Sequence, residues 1–187
     1  MLMSNTHNDN IQLVKNVIDV INSGDTTNVS DFIGPTYYNH ESQMDPVRSK
    51  MRGPEEFSDT VTNLRKAFSD LHYELVDSVS SNKKVVAIVF VIGKHTGSFF
   101  GFIPPSGNKI SYQAVHMFTI GDDGKISEHK AIRDDLALMY QLGVVKARVS
   151  QYENFLKEWK GTRQWMEEPD THDYKLGYEK CSAKRPD

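Results

Sequence analysis

An alternation of side chains over Ala114–Ile120, answered across Asp122-Asp123-Gly124 by a second run over Lys125–Ile132, constrains this chain more than any other feature. Val115, Met117 and Thr119 interleave with Ala114, His116 and Phe118, the period of a strand with one buried face. Asp-Gly between two such runs is a hairpin signal, so the two strands pair antiparallel. His116 and His129 are thereby brought close in space.

Upstream, the period changes. Ile11, Val14, Val17, Ile18 and Ile21 recur at helical spacing, with Asn10 or Asp9 placed to cap the start and Gly24 to stop the end. A short helix is expected over Thr27–Phe32, ending at Gly34-Pro35, after which Tyr37–His40 crosses the surface that the first helix covers. Gly53-Pro54-Glu55-Glu56 opens another helix, whose apolar face is Phe57, Val61, Leu64 and Phe68. Strands follow over Tyr73–Val79, Lys84–Gly93, Lys109–Ile120 and Lys125–Ile132, with Pro104-Pro105 in the long loop before the third. Helices first and then a run of antiparallel strands give an α+β domain over 1–143 with one sheet face buried. Val145, Val149, Tyr152, Phe155, Leu156 and Trp159 mark an amphipathic helix in an extension over 144–187.

With 22 Lys and Arg against 25 Asp and Glu, the formal charge is −3 and the signs are mixed, so no basic face points to nucleic acid or an anionic membrane. A single cysteine, Cys181, excludes an internal disulfide framework. The first ten residues lack a basic region followed by an apolar run, and the longest apolar stretch, Val85–Ile92, is too short for a bilayer; the expectation is a cytoplasmic protein. The seven histidines show no metal-binding spacing, and only His95, His116 and His129, on neighbouring strands, could converge; no metal is expected. Phosphate-cradling, dinucleotide and serine-nucleophile motifs are absent from the sequence.

DGKISEH, RDDL and QLG in the last third resemble the closing motif of the SnoaL-like polyketide cyclase and ester cyclase family, within the nuclear transport factor 2-like superfamily. The segment GKHTGSFFGFIPPSGNKI at Gly93–Ile110, the YYNH element and the GPEEF helix follow in the family's order, covering roughly residues 10–143. The resemblance implies a cone-shaped, curved antiparallel sheet wrapped around the N-terminal helices, the cystatin-like or nuclear transport factor 2-like α+β barrel. It also implies a cofactor-independent homodimer that moves a proton on a small hydrophobic, oxygenated molecule. In the resembling cyclases a histidine matching His116 lines the site, and a carboxylate stands one residue past a triplet that here reads Glu128-His129-Lys130. That position is Ala131, so the family's acid is missing.

The candidate proton carriers are therefore His116, His129 and Asp134. His129 shares a strand face with Ala131, and Asp134 sits at the strand end. Burial would keep an imidazole neutral near pH 7 and fit for acid/base work, although a core histidine bonded to a backbone carbonyl has the same pattern. Asp134 equally suits a helix cap. Tyr38, His40, Phe57, Phe99, Phe102, Tyr112, Phe118 and Ala131 are the candidate substrate-binding set, the loop aromatics reading as a pocket rim. Three functions stay open: a cyclase, isomerase or lyase; a non-catalytic binder of a small hydrophobic ligand; and a dimeric interaction module working through the extension with Trp159 and Trp165.

Overall fold

The structure, a computed structural model, describes residues 3–43 and 45–145. Helix α1 spans Met3–Ser23 and β1 spans Ile33–Asn39. Helix α2 covers Gly53–Ala67 and runs straight into β2, Phe68–Ser81. Strands β3 (Lys84–His95), β4 (Lys109–Ile120) and β5 (Ile126–Arg133) follow, and α3 (Asp135–Gln141) closes the described chain.

The strands lie in the order β1-β5-β4-β3-β2 as one open, curved sheet. β2 to β5 pair antiparallel, with His116 opposite Ala131 and Phe118 opposite His129 in the β4–β5 ladder. Strand β1 is a departure from expectation: Tyr37–Asn39 does not merely cross under α1 but joins the sheet edge, parallel to β5, with Asn39 opposite His129. Gly34 and Pro35 hid it in the sequence, and Pro35 is tolerated because an edge strand leaves one side of its backbone without a ladder partner. The sheet is thus mixed rather than wholly antiparallel, and it does not close.

Two helix expectations also shift. α1 begins well before Asn10, which is 6 % exposed and, instead of capping, donates from its amide to the Asn82 carbonyl at 2.8 Å in the β2–β3 turn. The helix over Thr27–Phe32 is only a 3-10 turn at Val29–Asp31. Gly24 does end α1, its φ at +77°. Arg65 of α2 donates to the exposed carbonyls of Ile21 and Asn22 there, at 3.0 and 2.7 Å.

The core lies between the concave sheet face and α1 and α2. Val85, Ala87, Val89 and Val91 of β3 and Ile110, Tyr112, Ala114 and Phe118 of β4 meet Val14, Val17, Ile18 and Ile21 of α1 and Phe57 and Val61 of α2. Phe57 is packed edge-on against Phe32 and Tyr37, with centroids 6.2 and 6.1 Å away. The expected extension lies outside the described residues beyond Val145. Among the described residues no helix is long and apolar enough to cross a membrane.

The start of α2 is locked to β1 through Gly53, whose φ is +70° and whose Cβ, were there one, would stand 2.6 Å from the Pro35 carbonyl oxygen. Gly53→Ala combines left-handed strain with a backbone overlap and is expected to cost about 2–4 kcal/mol. Gly101→Ala, also at positive φ (+76°) but with no atom within 4 Å, should lose only the strain part, about 1 kcal/mol. Urea unfolding of both variants checks the difference.

Candidate active site

Alternation along β4 turns His116 to the concave side with Tyr112, Ala114 and Phe118, and the ladder sets His129 and Ala131 of β5 on that same side. The two imidazoles are diagonal neighbours. His116 Nδ1 lies 2.8 Å from His129 Nε2, with the ring planes 21° apart, and His129 Nδ1 lies 3.0 Å from Asn39 Oδ1. Each is bonded to a side chain, and neither to a backbone carbonyl.

The direction of this chain follows from Asn39. The Glu41 backbone N–H, which can only donate, reaches Asn39 Oδ1 at 3.1 Å, so that oxygen is an acceptor and His129 Nδ1 must carry the proton given to it. His129 Nε2 is then a lone pair, and His116 donates from Nδ1. That leaves His116 Nε2 deprotonated. It is shielded from water and has no hydrogen-bond partner among the described residues.

Electrostatics agree with neutral rings. Burial first, and then the Arg133 guanidinium, push the His116 pKa down to about 4. His129 is held well below the usual histidine range by burial, followed by His116, Arg133 and His40. Arg133 itself is anchored by Glu41 (Nη1 to Oε2, 2.8 Å) and Asp135 (Nε to Oδ1, 3.0 Å). Glu41 is also the carboxylate that meets Ala131, its Oε1 accepting from the Ala131 backbone N–H at 3.1 Å. Both its oxygens are therefore engaged next to the position where the resemblance expects an acid.

The expected pocket is nearly filled. The space beside His116 is a hollow of about 10 Å³, room for roughly one water, against the several hundred cubic ångströms of an ordinary ligand site. Val14, Val17, Ile18 and Ile21 of α1 form its roof, with Tyr73, Val89 and Phe118 around the imidazole. A shallow groove of about 420 Å³ lies by Ile88, Gln113, Val115 and Ile132, mainly on the opposite sheet face.

The other sequence candidates are dispersed. Phe118 is 4 % exposed and lines the hollow, its ring 6.2 Å from His116 and 5.1 Å from His129. Phe57 and Tyr112 are core, and Phe99 packs on Phe68 at 4.9 Å. Phe102 is 78 % exposed at the tip of a turn, beside Phe100. Tyr38 and His40 form a surface group with Arg52, Gln43 and Glu128, away from the hollow: Arg52 lies 4.3 Å over the Tyr38 ring, and His40 Nε2 is 3.4 Å from Glu128 Oε2. Asp134 caps α3, accepting from the Ala137 N–H at 3.0 Å. His95 ends β3 eight residues beyond Ala87, the partner of His116, so about 26 Å of strand separates it from the histidine pair.

Two residues of the site were missed. Neither Asn39, within YYNH, nor Glu56, at the start of the GPEEF helix, was among the candidates. Glu56 is 1 % exposed, and its Oε1 accepts from Asn39 Nδ2 (3.1 Å), Ser42 Oγ (2.5 Å) and Thr60 Oγ1 (3.1 Å). The spacing of Glu56 and Thr60 on one face of α2 was the available signal.

Comparison with known proteins gives a consistent picture. Residues 11–142 match the model of the SnoaL-like polyketide cyclase family. Aklanonic acid methyl ester cyclase DnrD of Streptomyces peucetius is 34 % identical over 135 residues, covering 71 % of this chain and 90 % of that protein. The cyclase AcmA of Streptomyces galilaeus, with the same descriptive name, is 30 % identical over 136 residues, 72 % of this chain and 91 % of its own. Among solved structures, TsrD from Streptomyces laurentii superposes with a TM-score of 0.65 at 28 % identity, covering 73 % of this chain and 96 % of that one.

Proposed function

Because the chain belongs to the SnoaL-like polyketide cyclase family, we propose that it closes a ring in a polyketide methyl ester of the kind its relatives are named for, with His116 as the proton carrier. The observation that carries the reading is the directed chain Asn39–His129–His116, which ends in a free, water-shielded lone pair on His116 Nε2.

Ring closure by aldol addition needs a proton removed from the carbon beside one carbonyl and a proton delivered to the oxygen of another. His116 Nε2 takes the first, the enolate carbon bonds to the second carbonyl carbon, and the imidazolium returns the same proton to the new alkoxide. Nothing is consumed. A group with a pKa near 4 is a weak base toward water, but the enolate left beside it is an anion in an apolar enclosure, and that charge stabilises the imidazolium. Lys, Asp and Glu are absent from the hollow's lining, so the histidine pair acts without the carboxylate that Ala131 lacks.

The conformation described is closed. Substrate entry requires the Val14–Ile21 face of α1 to lift from His116, a shift of packed side chains of the kind that gates many enclosed sites.

The test is incubation with aklanonic acid methyl ester, in parent and in Ala131→Asp, following ring closure by chromatography. Turnover by the parent is expected. Turnover only by Ala131→Asp would mean that the natural chain holds such molecules without converting them.

A further inference from the structure

The chain of donors does not end at Asn39. Its amide nitrogen is directed at Glu56, a carboxylate buried under α2 on which Ser42 and Thr60 also converge. We infer that Glu56 is a positioning residue, which fixes the order of protons through Asn39 and both imidazoles and so keeps the His116 Nε2 lone pair free.

The alternative order has to be excluded by something. Reversed, Asn39 Nδ2 would donate to His129 Nδ1, His129 Nε2–H to His116 Nδ1, and His116 would carry its proton on Nε2, pointing into the hollow. In that order both rings have the tautomer that free imidazole side chains favour, with the proton on Nε2. Here each has it on Nδ1. The less favourable tautomer persists because the surroundings select it. Reversal would set Asn39 Nδ2 against the Glu41 N–H, donor to donor, and would turn Asn39 Oδ1 toward the Glu56 carboxylate, acceptor to acceptor. The Glu41 amide belongs to the backbone and cannot be deleted; Glu56 is the side-chain half of the lock.

Placement supports this. Glu56 sits at the first turn of α2, which Gly53 clamps to β1, while Asn39 is the last residue of β1 and pairs with His129. One short segment therefore carries both the clamp and the lock.

The inference rests on the proposed role of His116, but its decisive measurement needs no substrate. Long-range proton–nitrogen NMR of histidine-labelled protein at neutral pH should show His116 Nε2 unprotonated and Nδ1 protonated. In Glu56→Leu the Nε2-protonated form should become the major one, and Glu56→Gln, whose amide oxygen can still accept, should restore much of the parent pattern. With aklanonic acid methyl ester, kcat should fall about tenfold to a hundredfold in the leucine variant with KM little changed. A parent spectrum with the proton on His116 Nε2 overturns the inference even if Glu56→Leu does not fold. So does a folded leucine variant with unchanged ring nitrogens, or equal disturbance in Leu and Gln. Tautomers as expected in a protein that converts no ester would leave Glu56 in place and remove the functional reading alone.

Discussion

His116→Gln is expected to slow ring closure by about a hundredfold to ten-thousandfold, the range that a positioned general base or acid contributes. Glutamine is close in volume and keeps a polar head that can reach His129 Nε2, so the fold and the roof of α1 should survive the exchange. What disappears is the imidazole nitrogen that takes and returns the proton. Because base and acid are the same nitrogen, the loss should appear in kcat at saturating substrate rather than in KM. His129→Gln should do less, since His129 does not itself line the hollow and acts through its neighbour His116. Parent-like turnover in folded His116→Gln would remove His116 from the reaction; Asp134 is tied to the Ala137 amide and His40 to Glu128.

The α+β order, the β4–β5 hairpin and the inward histidines were legible because each rests on a local period or a turn signal. A strand face alternates whatever surrounds it, so His116 beside Phe118 could be placed without coordinates. Pairing across distant segments was not legible. Nothing local in Ile33–Asn39 says that it joins the sheet edge parallel to β5, and without that pairing Asn39 cannot be put against His129. Glu56 was hidden for a related reason. An acid in the first turn of a helix has a sufficient explanation in the helix dipole, and only the docking of α2 onto β1 shows that this one faces inward. Tyr38, His40 and Phe102 were grouped with the pocket by residue type and by position in the family's order, whereas loop side chains take their direction from neighbours far along the chain. The degree of filling is the least legible property, because the hollow by His116 is what four α1 side chains leave over after packing.

Acid should destabilise this fold through the histidine pair, by about 3 kcal/mol for His116 alone. Its pKa is about 4 in the folded chain against 6.5 for the free side chain, and each unit is worth about 1.4 kcal/mol. Above about pH 6.5 the ring is neutral in both states and adds nothing to the pH dependence. As the pH falls from there toward 4, the unfolded chain takes the proton and the folded chain refuses it, so stability declines, and below 4 the loss is complete. His129 is shifted in the same direction by burial and by His116, which makes the decline steeper for the pair than for either ring. Charging either ring also meets the Arg133 guanidinium, which disfavours the charged form of both. Urea unfolding of parent and His116→Gln at several values between pH 7 and 4 isolates the contribution, since the carboxylates titrate alike in both. The gap between the two should narrow or invert toward low pH in favour of the glutamine variant. Curves that stay parallel would mean that His116 titrates normally and is open to water, which the enclosed Nε2 forbids.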